Sequence, residues 1–213
     1  MSAWLAALIG LGVGAFAFTF VEYVLHRWGG HGSLRGVWSH SVKKHLEHHS
    51  TPTYFPRTHQ KLGVVLCLIP CVLVGLLMHW AAGVAMFVGL AGGLGLYEFV
   101  HMNMHNRRVP PRTPYGWWVA RLHLHHHFED AHTNHGITSP LWDFLLGTYR
   151  KPGLVRVPER EGVAPRWILE HAEDPRLAGR FEVRRRARRA RRSADTTDAP
   201  TARSADPLEV GRA

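Results

Sequence analysis

Residues 81–105 read AAGVAMFVGLAGGLGLYEFVHMNMH, and this stretch decides the fold. Ala81–Val100 is an apolar run in which Glu98 is the one charged residue. As a helix it is long enough to cross a hydrocarbon core of roughly 30 Å. It then continues into His101 and His105, an i,i+4 pair that shares one helical face. The sequence thus places metal-ligand chemistry at a membrane exit.

Two further apolar runs precede it. Ala3–Val21 has Thr19 as its only polar member, and Leu62–Trp80 carries Pro70 in its middle and His79 at its end. The first lacks the basic start and small-residue cleavage site of a signal peptide, so it reads as a retained helix. Three membrane spans are expected, the second and third forming a tight hairpin. Gly89, Gly92, Gly93 and Gly95 suit close helix contact. Cys67 and Cys71 lie inside an apolar run and read as small packing residues.

Parity puts the loop after the first span and everything after the third on one side. That side carries Arg27, Arg35, Lys43, Lys44, Arg57, Lys61, Arg107, Arg108, Arg112 and Arg121. The turn near 79–83 has no Lys or Arg. The positive-inside rule makes the charged side cytosolic and the N-terminus external, in an inner cell membrane.

The chain of 213 residues has 17 His against 16 Asp and Glu together. Its histidines are internal, which excludes an expression tag, and the rich motifs all fall on the cytosolic side. They are His26…His31, His45…His48-His49, His101…His105 and His123…His126-His127. The triplets combine i,i+3 and i,i+4 spacings, which gather imidazoles on a helical face. Gly29 and Gly30 let the chain turn so that His26 and His31 can converge. Ten imidazoles suit two ions better than one, since an ion takes four to six ligands and a catalytic site keeps a position open.

Ligating imidazoles usually give their other N–H to a carboxylate or carbonyl. Glu22, Glu98, His135 and Asp143 are the candidates for such supporting roles, with Glu47, Glu129 and Asp130 behind them. His40, His59, His79, His125, His132 and His171 read as surface or supporting residues. Trp117 and Trp118 read as interfacial anchors, beside Tyr115, Trp142, Phe144 and Tyr149. A membrane zinc hydrolase would need about three ligands and a base, and His45-Leu-Glu47-His48 lacks the HExxH order. A metal transporter should hold its ligands near the bilayer midplane, whereas these lie at the exits.

The four motifs, in the order HxxxxH, HxxHH, HxxxH and HxxHH, resemble the fatty acid hydroxylase / sterol desaturase superfamily. Asn134-His135-Gly136-Ile137-Thr138-Ser139-Pro140-Leu141-Trp142-Asp143 and Gly147-Thr148-Tyr149 resemble that family's closing segment. His135 stands where an aromatic residue is usual. The likeness implies an all-α integral membrane fold of about three transmembrane helices, with cytosolic or interfacial helices carrying a His-rich dimetal site. It implies two Fe ions on the ten histidines (zinc could replace them in a purified sample) and O2 as co-substrate. Electrons would come from an NAD(P)H-linked donor: a reductase, a ferredoxin or a cytochrome b5-type protein. The reaction implied is hydroxylation of a lipid C–H bond, first of all on a fatty-acyl chain, with sterol or carotenoid hydroxylation or desaturation as alternatives. No catalytic residue beyond the ligands is expected.

The expected division is a membrane-embedded catalytic domain over 1–150, a cytosolic extension over 151–178 and an Arg-rich tail without fixed structure over 179–213. Much of the formal net charge of +10 sits in Arg180–Arg192. Next to a membrane it reads as a contact to anionic lipid rather than to nucleic acid.

Overall fold

A computed structural model describes residues 1–32, 39–55 and 62–184, without the side chains of 39 and 62–67. Arg35, Arg57, Lys61, His59, the Cys67 side chain and the tail from 185 onward lie outside the described residues.

Helix α1 (Ala3–Val24) starts at Ser2, whose hydroxyl accepts from the Leu5 amide at 3.4 Å. It passes directly into a π-helical turn, Leu25–Gly30. Helices α2 (Ser39–Ser50), α3 (Leu62–Met78), α4 (Trp80–Asn106) and α5 (Pro114–Phe128) follow. His79 joins α3 to α4 and caps α4, its Nδ1 accepting from the Ala81 amide at 3.1 Å.

The continuous run Ala3–Gly30 and α4 are long and apolar enough to cross a membrane. Both expose large apolar side chains such as Leu8, Phe16, Phe87 and Phe99 along their length. Helix α3 is apolar too, but it has 17 residues, about 25 Å at 1.5 Å per residue. Among the described residues, then, two helices have full spanning length, and the third expected span is represented by the shorter α3.

Gly83 packs against Gly75 and Leu76 within the α3–α4 hairpin, whereas Gly89 and Gly93 pack against α1. Gly10 and Gly14 lie against the backbone of Ala82 and Met86, and Gly89 lies against the Leu11 carbonyl. A Cβ at any of them would collide with main chain, so the two long helices touch backbone to backbone. Gly92 and Gly95 face open space.

Beyond α5 come a five-residue helix, α6 (Leu141–Leu145), and a small cap of strand β1 (Val155–Pro158), helix α7 (Arg166–Leu169) and strand β2 (Phe181–Arg184). β1 and β2 pair in parallel, Val155 opposite Phe181. The all-α expectation is corrected to this extent, and residues 179–184 are not the structureless start of a tail. Gly179, at φ +69°, turns the chain into β2. Phe181 then buries itself beside Trp117 and Trp167. In the sequence this apolar residue is masked by the arginines around it. Val155, Val157, Trp167 and Phe181 share one core with Met104, Val119 and Leu124 of the helices above. The Trp167 indole N–H donates to the Met104 carbonyl at 2.9 Å, tying the cap to the histidine-bearing end of α4.

Candidate metal centre

Four elements bring the histidines together, and each solves a local problem. In an α-helix, residues five apart point in different directions. The turn Leu25–Gly30 is wound as a π-helix, whose i→i+5 repeat brings His31 round to the same side as His26. Their rings lie 5.4 Å apart, centroid to centroid. Gly30 is needed there, because a Cβ would lie 2.8 Å from the His45 ring. Helix α5 begins at Thr113, whose hydroxyl accepts from the Gly116 amide at 3.0 Å, with Pro114 in its first turn. It aims His123, His126 and His127 inward.

The ten motif histidines assemble as two groups of five. His26, His31, His45, His49 and His126 form one; His48, His101, His105, His123 and His127 form the other. Within each group every residue offers a nitrogen within 4.8 Å of all the others. The groups touch where the His49 and His127 rings stack at 4.1 Å. Nine of the ten come from helices, so rigid elements hold the cluster.

The hydrogen bonds decide which nitrogens face inward. His26 Nδ1–H donates to the His135 carbonyl at 2.5 Å, His48 Nδ1–H to Tyr54 at 2.8 Å and His126 Nδ1–H to Thr133 at 2.7 Å. A carbonyl only accepts, so each of these neutral rings carries its proton on Nδ1 and presents a bare Nε2. His126 Nε2 lies 2.9 Å from His31 Nε2 and 3.2 Å from His49 Nε2. His45 Nε2 is 3.0 Å from each of the same two atoms. In the second group, His48 Nε2 is 2.9 Å from His101 Nε2, and His105 Nε2 is 2.8 Å from His123 Nε2. The His26 Nε2 and both His127 nitrogens are buried without a hydrogen-bond partner among the described residues. Imidazole nitrogens gathered this closely, with those of His26, His48 and His126 bare, suit a cation between them, since imidazole is a common ligand for Zn, Cu, Fe and Ni. The donor set fits two metal ions.

Burial keeps the rings neutral and available. Desolvation, followed by the nearby His132, lowers the pKa of His31 to about 4. Desolvation, then His31 and His48, lowers that of His49 to about 3. His45, His123, His126 and His127 are pushed down by burial first and by neighbouring imidazoles second. Unfolded histidine titrates near 6.5, so below that pH the unfolded chain binds more protons than the folded one. The metal-free protein should hold its full stability above about pH 6.5 and lose it as pH falls towards 4 and then 3. Thermal unfolding of chelator-stripped protein across that range measures this. A melting temperature that did not fall on acidification would contradict the neutral, buried cluster.

The supporting residues are placed differently from expectation. Glu22 and Asp143 touch no imidazole; both grip the loop 134–138. Asp143 accepts from the His135 and Gly136 amides at 2.7 Å each, and Glu22 accepts from Ile137, from Thr138 at 2.8 Å and from the Thr138 hydroxyl. His135 is 2% exposed and its ring lies 5.2 Å from that of His126, outside the two groups of five. It supports His26 through its backbone carbonyl. Half-buried Glu98 lines a cavity with Tyr97 and His101. Glu47 pairs with Lys44 at 2.8 Å, Glu129 accepts from the Arg156 amide at 2.7 Å and Asp130 accepts from the His132 amide at 3.0 Å, all at the surface. His125 turns away towards Asn134 and Thr133. The carbonyls of Tyr54 and Thr133 were not expected, because a backbone acceptor leaves no mark in a sequence.

That cavity opens beside the cluster. Phe18, Leu94 and Tyr97 make an apolar wall facing His26, His45, His48 and His101. Trp142 is wedged between Phe16 and Phe20 of α1, its indole N–H donating to Thr19 at 2.8 Å. Trp117 packs on Trp167, with Arg176 and Arg180 over its face.

Comparison with known proteins agrees with this geometry. Over 149 residues the chain is 32% identical to a dihydroceramide fatty acyl 2-hydroxylase of Arabidopsis thaliana, covering 66% of this chain and 60% of that protein. It is 30% identical over 152 residues to the ceramide very long chain fatty acid hydroxylase of Saccharomyces cerevisiae, covering 66% and 38%. A structure of full-length scs7p, with only its hydroxylase domain visible, superposes with a TM-score of 0.55 at 28% identity, over 70% of this chain and 58% of that one. The match thus spans about 60% or less of these relatives' own length. The model of the fatty acid hydroxylase family matches residues 11–148, which contain all four histidine motifs and the loop that braces them, and the chain belongs to that family.

Proposed function

We propose that this chain is an O2-dependent di-iron membrane oxidoreductase that hydroxylates a C–H bond of a fatty-acyl chain. The observation that carries the reading is the pair of five-nitrogen groups in contact beside a cavity with one apolar wall. Two iron ions bound there would supply reductive activation of O2 for insertion into an unactivated C–H bond. Each group of five nitrogens could hold one such ion, and the chemistry needs a ligand position kept open for O2.

The chain's own residues do the rest. The carbonyls of His135, Tyr54 and Thr133 fix the tautomer and orientation of three ligands. Phe18, Leu94 and Tyr97 exclude water and offer an acyl chain an apolar path from the bilayer to the imidazole edge. Residues 1–150 are proposed as the catalytic part, with the cytosol on the side of the histidines. Residues 151–178 and the start of β2 close that side as a cap. Electrons would come from a separate donor, and the Arg-rich segment after 184 would meet anionic lipid.

Expression in a host that lacks hydroxylated acyl lipids, under heavy-isotope O2, tests the reaction. The expected result is acyl chains carrying one labelled oxygen, with none from a His123→Ala variant. Iron-replete protein that left every lipid unchanged despite a supplied reductant would sink the proposal. Labelled sterol or carotenoid alone would move the substrate class and keep the chemistry.

A further inference from the structure

An oxidising site buried among histidines endangers its own ligands whenever it is charged without substrate. The structure holds an aromatic path leading away from it. His135 makes an edge-on contact with His26 at 5.6 Å and lies 5.2 Å from His126. On its other side the Tyr23 ring meets it edge-on at 5.9 Å, and Trp28 meets Tyr23 edge-on at 6.2 Å. Tyr23 is wholly buried, whereas Trp28 is partly exposed. Three consecutive ring contacts therefore join the first group of histidines to the surface.

A phenol gives up an electron readily only if its proton can leave at the same time. Tyr23 has that exit. The Thr148 hydroxyl donates to Asp143 Oδ1 at 2.7 Å, so at the 2.9 Å contact between the two hydroxyls Tyr23 is the donor. Arg27 donates to the phenol oxygen at 2.7 Å, which leaves the Tyr23 proton aimed at Thr148. The relay ends on a buried carboxylate that burial has made more basic than usual.

We propose that Tyr23 is a redox-active tyrosine that drains oxidising equivalents from the histidine cluster to Trp28, passing its phenolic proton through Thr148 to Asp143. In the step, Tyr23 would give one electron by way of His135 to the O2-derived oxidant that ions held by the His26 group would supply, and that oxidant would take up the one equivalent. The Tyr23 O–H bond breaks, Thr148 takes that proton and gives its own to Asp143, and a neutral phenoxyl remains. An electron from Trp28, replaced at the surface by a thiol or ascorbate, then restores the phenol as the protons return. The physiological role rests on the di-iron reading, but the conduction path does not.

Flash photolysis of zinc-loaded protein in nanodiscs tests the path, with a soluble ruthenium complex and an electron acceptor supplying the oxidant at the surface. The expected result is a buried tyrosyl radical, seen by EPR, that is lost in Tyr23→Phe and in Trp28→Phe and whose formation slows in Thr148→Val. Each variant must retain the wild-type helical circular dichroism and zinc content. A signal unchanged in Tyr23→Phe, or no tyrosyl signal in wild type, overturns the proposal. A second arm reacts ferrous protein with O2 in the absence of lipid. Oxidised His26 and His126, counted by mass spectrometry, should rise in Tyr23→Phe, and equal damage in both proteins counts against the draining role. Zinc-loaded protein that gives the radical while iron never binds would leave the path standing and remove the hydroxylase reading.

Discussion

Replacing His126 by alanine is expected to strip one metal ion from the protein and leave the other, while His48→Ala does the converse. The two residues belong to different groups of five, are 0% and 2% exposed, and have their tautomers set by backbone carbonyls. Disturbing merely an outer partner of a ligand weakens binding about 10–100-fold, and removal of the ligand itself should exceed that. Under a chelator that leaves wild type with two ions, each single variant should keep one and the double variant none. Mössbauer spectra of the iron-loaded singles should each lose the magnetic coupling between irons. His125→Ala, one residue from His126, should keep both ions, because His125 points to Asn134. Hydroxylation should disappear in both singles. A single variant that lost both ions together, or a His125 variant that lost either, would show that the two groups are not separate sites.

This division could not be read from the chain. The sequence places His45, His48 and His49 on one face, and likewise His123, His126 and His127. The structure sends the i,i+4 partners His45 and His49 to one group and His48 to the other. On α5 the i,i+4 pair His123 and His127 joins His48, while His126 crosses. Successive residues on a helix differ by about 100°, so a triplet can face two centres at once when it lies between them. Only the neighbouring helices determine on which side each centre lies. The long apolar helices and the histidine motifs were legible because they rest on local composition and periodicity. The π-turn at Leu25–Gly30 was not, since its i→i+5 winding is imposed by what His26 and His31 must reach. The β1–β2 pair was hidden as well, because Phe181 finds its partners Trp117 and Trp167 far away in sequence. Glu22 and Asp143 were picked out as buried carboxylates near the motifs, but their targets are amides more than a hundred residues away for Glu22 and seven or eight for Asp143.

Those two carboxylates should produce the largest effect of any residue that touches no metal ligand's ring. Between them they accept from four successive amides, 135 to 138, with Asp143 taking the first two and Glu22 the last two. Gly136 has no room for a side chain, because a Cβ would run into the Ser139 carbonyl, so the loop closes tightly on the carboxylates. The carbonyl of this loop at His135 orients His26. Glu22→Ala strands two amides and the Thr138 hydroxyl; Asp143→Ala strands two amides and the Thr148 hydroxyl. Each buried donor left without a partner costs about 1–3 kcal/mol, so each variant should lose several kcal/mol. At about 2–4 °C per kcal/mol for a chain of this size, melting should fall by roughly 10 °C or more. Glu22→Gln keeps one oxygen for the two amides and should fall less. The metal readout separates this bracing from general destabilisation. Well below the melting point, Glu22→Ala should release the ion of the His26 group about 10–100-fold more readily while holding that of the His101 group, since only the first depends on the loop. Equal release of both ions would make the carboxylates general stabilisers of the fold and not supports of one site.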